Sequence, residues 1–435
     1  MSSFLDKAFG FDSLVHKKST EITAGITTFL TMSYILAVNP DIFRPLAEFG
    51  MDTGAVFTAT ALSAAFGTLL MALLAKMPVA LAPGMGLNAF FVYTVCLSMG
   101  YSWQFALTAV LIEGIIFIIL TLTNIRSWIV DAIPASIKNA IGAGIGLFIA
   151  LIGMQNSGII VSDPSTIVSL GNITGGSALL ALIGLLITVP LMIKKVPCAL
   201  LLGILITTVA GIPMGITEWR GFVSAPPSIS TTFCQFEWSN ILCPDMVIVV
   251  LTMLFLDIFD TMGSLVAICS QAGLTKSDGS IPGINRAFMA DSIATVFGAL
   301  VGTNTTTTYV ESASGVSAGG RTGLTAAVTS LCFILALFFA PLFLAVPSAA
   351  TAPVLIIVGL MMMKPVKDIP LEDYGESLPA FITLITIPLA YSISDGIMLG
   401  VISYSIINAL CGRFRKVSIP MWVLAACFVC KYVFL

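Results

Sequence analysis

The sequence contains little charge and almost no histidine. Only 9% of its 435 residues are charged and 57% are hydrophobic, whereas soluble domains carry about 25% charged residues. A soluble globular fold is therefore excluded. The one histidine, His16, precedes the first long apolar run, so a relay of membrane-embedded histidines is excluded as well. The lipid bilayer is the expected surrounding, and no nucleic acid is expected as a partner.

Apolar runs of about 17 to 25 residues are long enough to cross a bilayer as helices. They predict an all-α polytopic membrane protein with fourteen spans. The predicted spans are 22–43, 54–75, 79–97, 103–123, 137–155, 177–193, 197–212, 246–270, 286–302, 303–320, 322–343, 347–363, 377–392 and 394–411. The tail 419–435 is too short to span comfortably and is predicted to be an interfacial or half-inserted helix.

The basic residues fall almost entirely on one side of these spans. With a cytoplasmic N-terminus, the inner segments hold Lys7, Lys17, Lys18, Lys76, Arg126, Lys138, Lys194, Lys195, Lys276, Arg286, Arg321, Lys364, Lys367, Arg413, Arg415 and Lys416. The outer segments hold Arg44 and Arg220, and Lys431 is in the tail. This bias predicts a multi-pass protein with both ends of the bundle on the cytoplasmic side of the membrane.

Two pairs of segments repeat in the same order along the chain. Residues 132–154 are similar to 345–362, with Pro134 opposite Pro347 and Gly146 opposite Gly359, and residues 63–70 are similar to 294–301. Seven spans per half is an odd number, so the halves would insert with opposite orientation. The pattern predicts two inverted repeats with a site between them, although shared composition is an alternative source of the similarity.

Two predicted spans are interrupted at corresponding places. Pro78, Pro83, Gly84 and Gly86 disfavour a continuous helix in the third span, which predicts an extended segment up to Gly84 followed by a helix. In the tenth span the threonines 305–308 predict a second strand, followed by a half-helix near Glu311. Half-helix N-termini can present free N–H groups to a ligand. The alternatives are an ordinary kink and a polar loop.

Carboxyl groups at membrane depth are costly and usually functional. Asp257 and Asp260 lie three residues apart in span eight and would share a helix face. Two acids close together in a low dielectric favour the protonated form of at least one, which would allow proton exchange. Glu113 is interpreted as a hydrogen-bonding residue between helices, and Asp291 as an ion-paired or capping residue.

The polar loop before span eight contains Cys234 and Cys243. A disulfide between them requires that this loop face an oxidising space. No metal or organic cofactor is expected.

The motifs 21–40, LAPGMGLNAFF (81–91), FLDIFDTMGSL (255–265) and TYVESASG (308–315) resemble those of the AzgA-like purine permeases of the nucleobase and cation symporter family. The resemblance runs nearly end to end. It implies a core domain formed by 1–125 and 246–343 and a gate domain formed by 126–245 and 344–435. It also implies import of adenine, guanine or hypoxanthine with protons by a rocking or elevator movement.

Carried over by residue, the family's binding positions fall on Asp257, Glu311, Asn88 and Gly86, and Asp260 matches its second acid. Carboxylates and an amide suit the N–H groups and ring nitrogens of a purine. Ser312 lies beside Glu311. Stacking on the base could come from Phe90, Phe91, Phe255 or Phe259. Asp257 is the expected purine contact, while Asp260, with Asp257 and Glu311, is expected to carry the proton.

Three rival functions remain to be compared. Asp257 and Asp260 have the DxxD spacing of magnesium-dependent intramembrane prenyltransferases, but a second acid-rich motif is missing from the sequence, which disfavours an enzyme. An anion carrier of the same fold is disfavoured because carboxylates repel anions. Sodium coupling stays open, since carboxylate and threonine oxygens also bind Na⁺. A homodimer is expected by analogy with transporters of this fold.

Overall fold

The computed structural model of the chain describes residues 8–12, 15–123, 133–218, 221–274 and 281–434. Four of the basic residues behind the sidedness prediction, Lys7, Arg126, Arg220 and Lys276, lie outside this part of the chain. The described residues are mostly helical, as the composition predicts.

The helices divide the chain at nearly the predicted boundaries. They are α1 (Lys18–Met32), α2 (Ile35–Phe43), α3 (Thr53–Leu70), α4 (Met85–Ala89), α5 (Trp103–Thr123), α6 (Ala135–Asn156), α7 (Gly176–Ile193), α8 (Ala199–Gly211), α9 (Pro244–Gln271), α10 (Ile284–Val301), α11 (Ser312–Ser317), α12 (Gly323–Ala336), α13 (Ala340–Leu344), α14 (Ser348–Met362), α15 (Tyr374–Leu389), α16 (Ile393–Leu410) and α17 (Ile419–Phe434). π-Helical turns extend α3 over Met71–Ala75 and α4 over Phe90–Ser98. Short 3-10 helices lie at Arg44–Phe49, Leu337–Phe339, Lys364–Asp368 and Phe414–Lys416.

Within the described residues, ten helical segments are long and apolar enough to cross a bilayer. They coincide with ten of the fourteen predicted spans, which confirms a helical polytopic membrane protein. The other four predicted spans contain shorter helices, namely α4 with its extension, α8, α11 and α15. The full count of fourteen therefore stays a prediction.

The two interrupted spans meet through short strands. Strand β1 (Leu81–Pro83) pairs antiparallel with β4 (Thr306–Thr308), and Ala82 is opposite Thr307. The strand-then-helix order predicted for both segments is confirmed, because α4 follows β1 and α11 follows β4. Extended backbone at membrane depth needs internal hydrogen bonds, and each strand supplies them to the other.

Hydroxyl groups complete the hydrogen bonding around this small sheet. The Thr68 Oγ1 accepts from the Leu81 N–H at 2.9 Å and donates to the Leu81 carbonyl at 3.1 Å. The Ser312 Oγ accepts from the Ala80 N–H at 3.0 Å. The Ser63 and Thr306 hydroxyls lie 2.5 Å apart. The threonine-rich composition of the tenth span is thus used inside the protein and not in an exposed loop.

Residues at equivalent positions of the predicted repeat contact each other. The rings of Phe66 and Phe297 stack with their centroids 4.1 Å apart. A Cβ added to Gly146 would lie 2.5 Å from the Gly359 carbonyl oxygen, and one added to Gly359 would lie 2.4 Å from that of Gly146. Glycine is therefore required where α6 and α14 cross. Mutual contact of equivalent residues is what a two-fold relation between halves produces, and the inverted repeat stays a prediction that these contacts support.

Outside the bundle, β2 (Ile160–Asp163) pairs with β3 (Ile167–Leu170) in a hairpin.

Cys234 and Cys243 are both free thiols, and Cys243 caps α9 by accepting from the Met246 N–H at 3.3 Å. The tail is helical as predicted. Its Tyr432 hydroxyl donates to Asp395 at 2.9 Å, which ties the tail to the first turn of α16.

Candidate substrate site beside the paired strands

A cavity of about 730 Å³ lies beside the paired strands. One wall comes from the N-terminal turn of α4 and a long stripe of α9, and the facing wall from α6 and the end of α14. We call it the central cavity. Its lining residues are Gly86, Leu87, Lys138, Asn139, Ile141, Gly142, Ile145, Leu256, Phe259, Asp260, Met262, Gly263, Ser264, Ala267, Val310, Met361, Met362, Lys364 and Pro365. Its volume is typical of a small-molecule site.

Asp260 supplies the one carboxyl group among these lining residues, and its side chain is exposed to the central cavity. Its Oδ2 would be 3.8 Å from a Cβ placed on Gly84, the residue that joins β1 to α4. The Asp260 carboxyl therefore lies next to the break in the third span. Polar groups concentrated in an otherwise apolar cavity orient a ligand.

Glu311 lies at the start of α11, just beyond β4. Its Oε1 accepts a hydrogen bond from the Tyr34 hydroxyl at 2.5 Å, and Tyr34 is fully buried at the break between α1 and α2. The Thr31 and Ser314 hydroxyls lie 2.7 Å apart and join the same elements. Tyr34 was not assigned a role from the sequence, because a tyrosine within an apolar run gives no sign of its partner.

Gly86 and Asn88 occupy different positions on α4. Gly86 lines the central cavity, and a Cβ there would come within 2.8 Å of Ile145 Cγ2 on α6. Asn88 is fully buried, and its side-chain amide has no hydrogen-bond partner among the described residues. Asn304, just before β4, has the same property. An unsatisfied buried amide costs about 1–3 kcal/mol, so both groups are candidates for contact with a polar ligand or water.

The remaining predicted contacts lie away from the central cavity. Phe90 is fully buried in the hydrophobic core, and Ser312 is engaged by the Ala80 N–H. Neither lines the cavity. The aromatic residue that does so is Phe259, whose ring is nearly parallel to that of Phe255 at a centroid distance of 6.2 Å. The Lys138 ammonium lies 5.9 Å from the Phe259 centroid, which is within the range of a cation–π interaction.

Asp257 is separated from Asp260 although both belong to α9. Asp257 is fully buried and does not belong to the cavity lining. Its Oδ1 lies 3.4 Å from the Thr261 hydroxyl, which donates to Asp291 Oδ2 at 2.8 Å. Asp291 lies in the middle of α10 and is therefore not a capping residue. Glu113 on α5 accepts from Thr305, in the extended segment before β4, at 3.2 Å, so this bond links a helix to the strand segment and not two helices as predicted.

At the far ends of α6 and α14 the walls of the cavity close on each other. Asp41 on α2 accepts from the Ser348 hydroxyl at 2.6 Å and from the Thr351 hydroxyl at 2.5 Å, both on the first turn of α14. Arg44 pairs with Asp41 at 3.2 Å. These bonds hold α2 against α14 at the end of the bundle opposite Lys138 and Lys364.

An aromatic cluster lies at the same closed end. The Tyr93 ring, beyond α4, contacts Phe148 on α6 and Tyr391 before α16, with centroid distances of 6.4 and 6.2 Å. The Tyr93 hydroxyl also accepts from the Asn156 amide at 3.1 Å. The central cavity is thus lined by lysines toward one end of the bundle and closed by the Asp41 bonds and this cluster toward the other.

Membrane-spanning helices, two broken segments paired by strands and a cavity that is closed toward one end define a membrane transporter. A model of the Permease family (Xan_ur_permease) matches residues 19–399. The chain belongs to this family, which confirms the predicted relationship and shows a transporter instead of an enzyme.

Curated relatives match nearly the whole chain. The guanine/hypoxanthine permease PbuG of Bacillus subtilis is 47% identical, with 98% of this chain and 99% of the relative covered. The adenine permease AdeP of Escherichia coli is 42% identical, with 96% and 93% covered.

Among solved structures, the transmembrane domain of the cyanobacterial bicarbonate transporter BicA matches with a TM-score of 0.64 at 15% identity, covering 88% of this chain and 97% of that one. At this identity the likeness shows that the fold is shared and nothing about the substrate.

Proposed function

We propose that this chain imports purine nucleobases, namely adenine, guanine or hypoxanthine, by proton symport. The observation that carries the proposal is Asp260, a carboxyl group exposed in an otherwise largely apolar cavity of about 730 Å³. An apolar wall suits a flat purine ring, and a carboxylate accepts from its N–H edge. The curated relatives are guanine/hypoxanthine and adenine permeases, which agrees with this substrate class.

The geometry also favours one member of the aspartate pair as the purine contact. Asp260 is exposed in the cavity, and Asp257 is buried outside it. Of the predicted binding set Asp257, Glu311, Asn88, Gly86, Ser312 and Phe90, we therefore replace Asp257 with Asp260 as the direct contact. Phe259 replaces Phe90 as the residue that stacks on the base. Asp260, Asp257 and Glu311 are proposed to carry the proton.

Movement of one domain against the other would expose the site alternately. The core domain (1–125 and 246–343) contributes α4 and α9 to the central cavity, and the gate domain (126–245 and 344–435) contributes α6 and α14. The Asp41 bonds to Ser348 and Thr351 cross the same boundary at its closed end. Release of these bonds with closure of the lysine-lined end would complete a rocking or elevator movement. The sidedness of the basic residues favours a cytoplasmic position for that end.

An anion carrier of the same fold is the alternative considered from the sequence. Asp260 disfavours it, since a carboxylate in the cavity would repel an anion. Sodium in place of protons remains the alternative coupling ion, and a homodimer in the bacterial inner membrane remains a prediction.

Uptake by bacterial cells that lack their own purine permeases tests the proposal. Labelled hypoxanthine, guanine and adenine should accumulate, and a protonophore should stop accumulation while sodium removal should not. Competition by unlabelled uracil and xanthine would define the selectivity. Asp260→Asn and Glu311→Gln should each abolish accumulation at normal membrane abundance, whereas Asp368→Asn and Glu372→Gln, at exposed carboxyl groups, should not. Normal uptake in both site variants would refute the site, and sodium-dependent uptake would refute proton coupling.

A further inference from the structure

Three acidic side chains that do not line the central cavity lie together in the interior of the protein. Glu113 on α5, Asp257 on α9 and Asp291 on α10 are all fully buried. Thr261 bridges Asp257 and Asp291, and Thr305 donates to Glu113. We call these three acids the interior carboxyl cluster. A buried ionised carboxyl group is destabilising by several kcal/mol unless its charge is compensated. The negative charges of this cluster therefore require either a nearby cation or a bound proton.

Cations do not supply it to Glu113 or Asp257. Among the described residues neither group takes part in an ion pair, whereas the partly exposed Asp373 and the buried Asp41 do. The ionisable groups facing Asp257 are Glu113, Asp260 and Asp291. All three of these groups are negatively charged when ionised. In the part of the chain that the structure describes, no group of three or more His, Cys, Asp or Glu side chains could hold a metal ion, so under the proposed proton symport the neutralising species is H⁺.

The contact between Glu113 and Asp257 shows where one proton would be held. Their carboxyl groups lie within hydrogen-bonding reach of each other. Glu113 Oε1 and Asp257 Oδ2 accept from no donor group among the described residues. Two ionised carboxylates cannot hydrogen-bond, because each is an acceptor only, whereas one carboxylic acid can donate to one carboxylate. A single proton between them satisfies both groups.

We propose that the interior carboxyl cluster binds the coupled proton, an inference that rests on the proposed symport. The proton is held by Glu113 and Asp257, beside Asp291 and outside the central cavity. The chemical species bound is H⁺, transferred between carboxyl oxygens without other bond changes. Glu113 and Asp291 thereby become coupling residues that need not touch the purine.

Threonine hydroxyl groups lie between the interior carboxyl cluster and the central cavity. The Thr261 and Thr307 hydroxyls lie 2.7 Å apart, and Thr307 and Asp260 both border Gly84, where an added Cβ would lie 2.7 Å from Thr307 Cγ2 and 3.8 Å from Asp260 Oδ2. Hydroxyl groups both donate and accept. A proton taken up at Asp260 can therefore reach Asp257 or Asp291 through Thr307 and Thr261, each hydroxyl passing on one proton as it receives another. Because Thr307 lies on β4, the path runs through the paired strands that also border the purine site.

Purified protein in liposomes with a trapped pH-sensitive dye tests the inference. In the wild-type protein, hypoxanthine entry should acidify the lumen. In Glu113→Gln and Asp257→Asn the acidification and uphill accumulation should fall at least about ten-fold, the effect of losing about 1.4 kcal/mol of coupling. Exchange of labelled for unlabelled hypoxanthine should stay within about three-fold of wild type, because binding and movement do not need net proton transfer.

A buried acid elsewhere provides the matched control. Glu21 is 1% exposed and accepts from the Arg321 N–H, the Thr322 N–H and the Thr325 hydroxyl. Glu21→Gln should lower thermal stability and leave the ratio of protons to hypoxanthine unchanged. Thr261→Val, which preserves volume but interrupts the hydroxyl chain, should slow proton entry, and Thr261→Ser should restore it.

The outcomes separate the inference from the proposed function. Wild-type vesicles that move neither hypoxanthine, guanine nor adenine, or that require sodium, would refute the proposed function. Symport by the wild-type protein with unchanged proton movement in Glu113→Gln and Thr261→Val would refute the proton-binding role of the interior carboxyl cluster and leave the proposed function intact. Loss of exchange together with proton movement in well-folded variants would also overturn it, because that pattern indicates a structural or binding role.

Discussion

Asp257 and Asp260 are one helical turn apart on α9 and yet belong to different regions of the molecule. Asp260 is exposed in the central cavity, next to apolar walls and the break before α4. Asp257 is fully buried with Glu113, Asp291 and Thr261. The difference shows that a single helix borders two distinct environments, and it is the basis for proposing substrate contact at Asp260 and proton storage at Asp257.

The largest expected difference between the two aspartates is in purine affinity. Asp260→Asn should weaken hypoxanthine binding by about ten- to one-hundred-fold, because a hydrogen bond to a charged group contributes about 1.5–3 kcal/mol. Asp257→Asn should change it by less than about three-fold, since an uncontacted residue adds little to binding. Calorimetric titration of the purified protein gives both constants. Equal loss of affinity in the two variants would show that the regions are not separate.

A smaller effect should distinguish the two environments of α9 through thiol reactivity. Gly263 lines the central cavity, and an added Cβ would meet nothing within 4 Å, so Gly263→Cys should fold normally. Its thiol should react with a polar maleimide at least about ten-fold faster than the native Cys269, because buried thiols are inert.

Cys269 lies on the same helix and is fully buried, so it serves as an internal reference. Mass spectrometry of the two peptides measures both rates in one sample, and saturating hypoxanthine should slow the reaction at position 263 alone. Similar rates at both positions, or no protection by hypoxanthine, would contradict the proposed cavity.

The smallest effect concerns an acid whose charge is compensated by cations. Hydrogen bonds from Arg413, and then from Lys416, lower the pKa of Asp373 to about 2. A lowered pKa means that the pairing stabilises the folded protein above the ordinary carboxyl pKa and is lost as the pH falls through about 2. Asp373→Asn should therefore lower the melting temperature slightly and equally from pH 5 to pH 8.

Thermal unfolding followed across that pH range provides the measurement. Arg413→Gln should reproduce the effect, since it removes the 2.6 and 2.9 Å hydrogen bonds to the same carboxylate. A difference between wild type and Asp373→Asn that changes between pH 5 and pH 8 would mean that the ion pair does not hold Asp373 ionised.

Local sequence was enough to predict the elements on which the site is built. Proline and glycine before Met85 predicted the end of an extended segment, and the threonines before Glu311 predicted a strand. Both are observed as β1 and β4. Apolar length predicted the ten long segments, because the thickness of a bilayer sets the length of a helix that crosses it. The hydrogen-bond partners of Tyr34 and Thr261 could not be predicted, because they are distant in the sequence. Glu311 is 277 residues from Tyr34, and Asp291 is 30 residues from Thr261.

The sequence by itself determined the class of protein, the two breaks in its spans and the presence of costly acids within them, because hydropathy and backbone preferences act over short stretches of chain. Tertiary structure alone decided that the two breaks pair with each other and that Asp260 is exposed in the cavity while Asp257 is buried with Glu113. Helical spacing predicted one shared face for both aspartates, but packing against α5, α10 and the strands buries Asp257 and leaves Asp260 exposed to the cavity.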